Sequence, residues 1–252
     1  MSRRAESRTT LPFPISGVLV RNPEGYTVST LSSVTDTLLR AGGAGLLYDS
    51  RGTTDDGDAR VVHALCRGFN VPFLVVDDVE LARRQRADGL YLTGPAADVC
   101  AARTQLPWAA VGVFCGLDFD AAKRAVEEGA AYVAFGLPGG TAASADDGAA
   151  QLGPGDRQAR ADLSEVRSAR VHRDGECAEV IAQARANLRV PIVAAGDLSA
   201  VVAGEVLRRG ADVLALSGVV YGAEHPRQVM LSYLGCFPPR DDLWAADPRP
   251  GR

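Results

Sequence analysis

Asp77 and Asp78 stand side by side at the end of the apolar run VPFLVV, with Glu80 close behind. Carboxylates at a strand end can hold a divalent cation or move a proton, and either aspartate would equally serve to cap the helix that follows. Cys115 closes another apolar run, AAVGVF, where a stabilised thiolate would be a nucleophile and an ordinary thiol a small buried side chain. Gly196 and the pair Ser217-Gly218 follow two later runs. Residues this small let backbone N–H groups approach an anion, although the same glycines also suit tight turns. Asp197, next to Gly196, places a negative charge at that end. Tyr48, Asp49 and Tyr91 also fall at strand ends, as hydrogen-bonding groups for a pocket. The three histidines do not: His63 reads as helical and structural, His172 lies in a long polar segment, and His225 begins the last helix.

The elements that must position these residues alternate regularly. Short apolar runs predict strands at Ile15–Val20, Gly45–Tyr48, Pro72–Val76, Gly89–Leu92, Ala109–Phe114, Ala131–Phe135, Pro191–Ala195 and Asp212–Leu216. Helical periodicity predicts helices near 27–41, 57–68, 79–86, 96–104, 118–128, 174–187, 198–208 and 225–234. The strands are continuous in Val, Leu and Ala, the pattern of strands buried on both faces. Glycines at Gly42-Gly43, Gly129 and Gly210 stop helices shortly before the next strand. Eight strands alternating with eight helices predict a single (β/α)8 TIM barrel, with an open doubly wound sheet as the alternative. RNPEGYTV after the first strand is not the GxGxxG turn that such a sheet would bring.

One segment breaks the rhythm. Residues 137–174 form a polar, Gly/Ala/Ser-rich insertion after strand six, readable as an active-site lid or as a disordered loop. Its second half carries Arg157, Arg160, Arg167, Arg170 and Arg173, which would reach an anionic ligand if the segment folds over the mouth. Residues 1–12 read as a disordered arm, 13–236 as the barrel, and 237–252 as a Pro-rich tail that packs Trp244 on the barrel or on a second copy. A homo-oligomer therefore stays open.

Composition narrows the partners. A chain of 252 residues that is 46% hydrophobic can bury one large core. A net charge of −4 gives no reason to expect nucleic acid, and no apolar run approaches the ~20 residues of a membrane span. The basic N-terminus lacks the apolar stretch of a secretory signal. Five widely spaced cysteines without a CxxC pair suggest neither a disulfide framework nor a zinc site, so a reducing cytoplasm fits.

The stretch 71–92, VPFLVVDDVELARRQRADGLYL, resembles the thiamine-phosphate synthase and thiazole tautomerase (TenI-like) family. Val76-Asp77 stands for its strand-ending Asn-Asp, Glu80-Leu81-Ala82 for its helix start, and Ala87-Asp88-Gly89 leads to Tyr91-Leu92-Thr93-Gly94 in place of His-Leu-Gly-Gln. GAAYVAFG (129–136), PIVAAGDL (191–198) and GADVLALSGV (210–219) resemble three further family strands in the same order, over roughly residues 15–235. The resemblance implies a TIM barrel that joins a pyrimidine diphosphate to a thiazole phosphate. Diphosphate departure leaves a pyrimidine carbocation, which the thiazole nitrogen captures. It implies Mg²⁺ as cofactor, Asp77 as metal ligand, Thr141 as a catalytic residue after strand six, and Gly196, Ser217 and Gly218 as the phosphate end.

Departures from the family pattern shape the functional expectation. Its second metal aspartate falls at Ala96, and its Gln-Leu-Arg-Glu-Lys after strand two aligns with Tyr48-Asp49-Ser50-Arg51-Gly52. Arg51 replaces the family arginine only with a shift of register. After strand six a Thr and a Lys become Ala143 and Ser144, and Ser-x-His after strand five becomes Phe114-Cys115-Gly116. Because losing one electrostatic stabiliser lowers a rate by about 10²–10³, the expectation is a diverged barrel that binds a phosphorylated, thiamine-related small molecule with synthase activity lost or altered. The alternatives are an active Mg²⁺-dependent synthase, a noncatalytic binding or regulatory protein, and a new enzyme using Tyr48, Asp49, Cys115 or Tyr91.

Overall fold

The computed structural model describes residues 13–14, 16–51, 56–94, 98–136 and 175–238. Eight parallel strands close into a barrel in chain order: β1 (Gly17–Arg21), β2 (Gly45–Tyr48), β3 (Phe73–Val76), β4 (Gly89–Leu92), β5 (Ala110–Phe114), β6 (Tyr132–Gly136), β7 (Ile192–Ala195) and β8 (Val213–Leu216). The described helices are α1 (Val28–Arg40), α2 (Asp56–Gly68), α3 (Val79–Gln85), α4 (Val99–Gln105), α5 (Phe119–Glu127), α6 (175–187), α7 (Ala200–Arg208), α8 (Gly218–Tyr221) and α9 (Pro226–Leu234). The barrel prediction holds, and the open sheet does not form. Two local differences matter for the site. β1 extends to Arg21 rather than ending at Val20, and the one-turn α8 follows β8 where helical periodicity predicts no helix. The insertion 137–174 with Thr141, the arm 1–12 and Trp244 of the tail lie outside the described residues.

Side-chain alternation sorts each strand into two apolar layers. Phe73 and Val75, Leu90 and Leu92, and Leu214 and Leu216 pack outward beneath the helices. Leu74 and Val76, Tyr91, and Val213 and Ala215 fill the barrel interior together with Leu19, Leu47, Tyr132 and Val193. Near the floor, Phe13 stacks on Tyr132 with ring centroids 3.8 Å apart, and the Tyr132 hydroxyl donates to the Leu90 carbonyl at 2.9 Å.

Acidic side chains lock several βα junctions. Asp78, Asp98 and Asp118 cap α3, α4 and α5, each accepting an N–H from within the first helical turn at 2.7–2.9 Å. Such caps contribute about 1 kcal/mol each. Asp98 explains why α4 begins at Val99 rather than near residue 96. At the opposite end, Asp88 accepts the Phe73 N–H at 3.0 Å and Asp212 the Ile192 N–H at 2.8 Å. The acid of the Ala87-Asp88-Gly89 motif is therefore part of the fold, tying neighbouring strands together away from the mouth.

Candidate active site

At the C-terminal ends of the strands lies a cavity of about 210 Å³, lined by Arg21, Arg51, Tyr91, Thr93, Phe114, Ala195, Gly196, Asp197, Ala215 and Ser217. Its strongest charges gather where β1 and β2 end. Asp49 is 2% exposed and receives Arg21 Nη2 at 2.7 Å and Arg51 Nε at 2.9 and 3.1 Å. Asn22 fixes the same residue reciprocally, its amide donating to the Asp49 carbonyl at 2.9 Å and its oxygen accepting the Asp49 N–H at 2.7 Å. A guanidinium has five N–H donors, and Asp49 engages only part of each set. The buried carboxylate thus aligns two arginines, with Arg51 more exposed than Arg21 and also 3.5 Å from Glu24.

Burial pushes the Asp49 carboxyl upward, but hydrogen bonds from Arg51 and Arg21 outweigh it and hold the group below its usual value. A lowered folded-state pKa adds stability that is complete above the unfolded value, near about 4, and disappears as pH falls through the folded one. Urea unfolding should therefore show wild-type protein well above Asp49→Asn in stability at pH 7, with the gap shrinking below about pH 4. A gap independent of pH would contradict this account.

Asp77 occupies the end of β3 in the left-handed region, with φ 56°. Its N–H donates to the Tyr91 carbonyl at 3.0 Å, and its carboxylate accepts the Thr93 N–H at 2.7 Å and the Thr93 hydroxyl. Two adjacent strand ends are thereby joined through one exposed carboxylate. Asp78 takes the capping role, so the two neighbouring acids divide the tasks that the sequence left open to either. Among the described residues, no group of three or more His, Cys, Asp or Glu side chains is arranged to hold a metal. Mg²⁺ commonly uses one or two protein carboxylates together with substrate phosphates. Asp77 fits that lesser demand, because each of its oxygens retains a lone pair beyond the Thr93 bonds.

Tyr91 forms the apolar floor with Phe114, their ring centroids 6.5 Å apart. Burial raises its phenol well above the ordinary range despite the lowering effect of Arg21, so it stays neutral. Tyr48 does not line the mouth. It shares the outward parity of Leu46, is fully buried beneath the helices, and packs on Phe73 at 5.6 Å. Cys115 lies to the side, in a second groove of about 470 Å³ that shares Thr93 and Phe114 with the cavity. Burial, with Asp118 adding to it, pushes its thiol up to about 12, which suppresses the thiolate a nucleophile needs.

On the far wall, Gly196 adopts φ 132° and donates its N–H to the Ala215 carbonyl at 3.0 Å. Ser217 lines the cavity, and Gly218 begins α8. Asp197 reaches across to the same turn and accepts the Val219 N–H at 3.1 Å. The structure therefore brings together Asp49, Arg51, Asp77, Tyr91, Gly196 and Ser217 around one mouth and sets Cys115 beside it. Arg21 and Asp197 complete the cavity. Arg21 carries an available signal, since it continues the inward parity of Leu19 at the end of β1.

A family model described as thiamine monophosphate synthase matches residues 30–154. A thiamine-phosphate synthase from Methylobacillus flagellatus is 31% identical over 223 residues, covering 86% of this chain and 92% of the relative. One from Methylococcus capsulatus is 31% identical over 219 residues, covering 84% and 85%. Among solved structures, a thiamine phosphate pyrophosphorylase from Pyrococcus furiosus superposes with a TM-score of 0.65 at 19% identity, over 88% of this chain and 95% of that one. That likeness supports the barrel.

Proposed function

Because this chain belongs to the thiamine monophosphate synthase family, we propose that it is a transferase that joins a pyrimidine diphosphate to a thiazole. The relatives' names support turnover over its loss, and therefore favour the active alternative to a diverged, inactive barrel. The observation that carries the reading is the arginine pair held by Asp49. Alignment by sequence replaces the family's cations, whereas in space Arg21 and Arg51 put two guanidinium groups at the mouth.

Each group has a task in that chemistry. Arg21 and Arg51 would grip the diphosphate and stabilise the negative charge that grows on it as the carbon–oxygen bond breaks. Asp49 would keep both guanidinium planes fixed, so little reorganisation accompanies the reaction. Tyr91 and Phe114 offer an apolar floor to the heterocycle. Mg²⁺, carried with the diphosphate and ligated by Asp77, would supply further neutralisation of the leaving group. No helix among the described residues is long and apolar enough to cross a membrane, and a cytoplasmic enzyme acting on small phosphorylated molecules is the reading we adopt.

Incubating the protein with the pyrimidine diphosphate, a thiazole acceptor and Mg²⁺ should release diphosphate and the condensed product, and a chelator should stop the reaction. Asp77→Asn should lower kcat by about 10²-fold while the melting temperature stays close to wild type. Asparagine tolerates the left-handed backbone and still accepts the Thr93 N–H. A binding protein without turnover is the second reading, favoured by Ala96 standing where the family has its second metal carboxylate. Thermal stabilisation by the diphosphate without any product would support it and defeat the transferase.

A further inference from the structure

We propose that Asn22 is a positioning residue for the transfer, holding Asp49 so that Arg21 and Arg51 meet the departing diphosphate correctly, an inference that rests on the transferase reading. β1 and β2 are paired as far as Arg21 and Leu47. One residue further, the Asn22 N–H still reaches the Leu47 carbonyl, at 3.3 Å. Beyond that point the side chain takes over. Its amide nitrogen donates to the Asp49 carbonyl at 2.9 Å, and its oxygen accepts the Asp49 N–H at 2.7 Å. A primary amide offers the donor and acceptor that a peptide unit offers, so Asn22 adds one more rung to the sheet. Pro23 disfavours helical backbone at Asn22, which keeps that rung in line with β1. Both partners are buried, at 4% and 2% exposure.

Asp49 is the hub for both cations. Its carboxylate accepts Arg21 Nη2 at 2.7 Å, Arg51 Nε at 2.9 and 3.1 Å, and the Arg51 backbone N–H at 3.1 Å. A carboxylate whose backbone is pinned aims two guanidinium groups, whereas one free to swing carries both away together. Asn22 is not among the described residues that line the cavity, so it acts on the diphosphate through Asp49 and the arginines. In the transfer, the thiazole nitrogen donates its lone pair to the pyrimidine methylene carbon. The carbon–oxygen bond breaks, its electron pair leaves on the diphosphate, and no proton moves. The cations must already face the oxygen that receives that pair. Misplacing such a group by about 1 Å can cost about 10² in rate, so a neutral amide outside the cavity has a large lever.

The test follows condensation by the full chain with the pyrimidine diphosphate, a thiazole phosphate and Mg²⁺, and titrates inorganic diphosphate with Mg²⁺ calorimetrically. Asn22→Ala should lower kcat by about tenfold or more, weaken diphosphate binding several-fold, and leave KM for the thiazole phosphate within about twofold. Asn22→Asp keeps an acceptor for the Asp49 N–H but loses the donor to its carbonyl. It should fall between, and it carries the comparison if the alanine variant fails to fold. The decisive background is Asp49→Asn, which keeps the backbone bonds to Asn22 and removes the charge that grips the arginines. There Asn22→Ala should cost less than about twofold in kcat and in diphosphate affinity, while still lowering the melting temperature. If that double variant does not fold, Arg51→Ala serves as the background, and the Asn22 effect should shrink to about threefold or less. A kcat and an affinity within twofold of wild type in Asn22→Ala, or the same loss in every background, overturns the proposal. If wild type forms no product, the titration still decides. Weaker diphosphate binding in Asn22→Ala that vanishes in Asp49→Asn upholds the positioning role while the transferase reading fails, and absence of diphosphate binding by wild type overturns both.

Discussion

Arg51→Ala and Arg21→Ala should each lower kcat/KM for the pyrimidine diphosphate by about 10²–10³, with the fold preserved. The expectation follows from how the pair is held. Asp49 is buried and grips both guanidinium groups, so each cation is already oriented before substrate arrives. Oriented charge acts most strongly where charge develops, here on the departing diphosphate. Removing one arginine leaves Asp49 with the other, so the carboxylate is not stranded and the fold should persist with a modest loss of stability at pH 7. Arg51→Lys should recover only part of the loss, because an ammonium cannot reproduce the planar contact of Arg51 Nε with both Asp49 oxygens. Steady-state kinetics with the diphosphate varied would settle the matter. Variants within twofold of wild type would remove the arginine pair from the mechanism.

Gly112→Ala should destabilise the protein by about 3 kcal/mol, at the upper end of what overpacking a core costs. The glycine lies on β5 where the Tyr132 ring crosses the barrel interior. A Cβ there would come within 2.2 Å of that ring. Tyr132 cannot easily yield, because Phe13 stacks on one side of it and its hydroxyl is bonded to the Leu90 carbonyl. For a chain of this size, each kcal/mol moves the melting temperature by about 2–4 °C, so a fall near ~10 °C is expected. Combining Gly112→Ala with Tyr132→Ala should cost less than the sum of the two single losses, since the two residues are in direct contact and their effects should not add. A melting temperature unchanged in Gly112→Ala would show that the ring can move aside.

These two predictions differ in how far the sequence alone leads to them. The barrel follows from local order: apolar runs, helical periodicity and the glycines that end helices all agree, and parallel strands joined by helices leave few ways to close. Asp77 and Asp78 were legible as a strand end and a cap, but their division of roles was not. It depends on Thr93 from the end of the next strand, whose N–H and hydroxyl both donate to Asp77. A strand-end position alone does not place Tyr48 at the mouth, because the parity it shares with Leu46 sends it under the helices. The same parity, applied to Leu19, points Arg21 inward.

What the sequence by itself determined is therefore the barrel, its family, and the strand ends from which the cavity at the mouth is built. Those are written in local periodicity and in motifs that keep their order. Only the tertiary structure decided which of those residues meet. Asp49 and Arg21 are 28 positions apart, and Asp197 and Val219 are 22 apart. Each pair meets because β1 pairs with β2 and β7 with β8 in parallel, which brings the ends of neighbouring strands within hydrogen-bonding distance. Distance across a closed sheet is set by strand order and register, and neither is recorded in the spacing of residues along the chain.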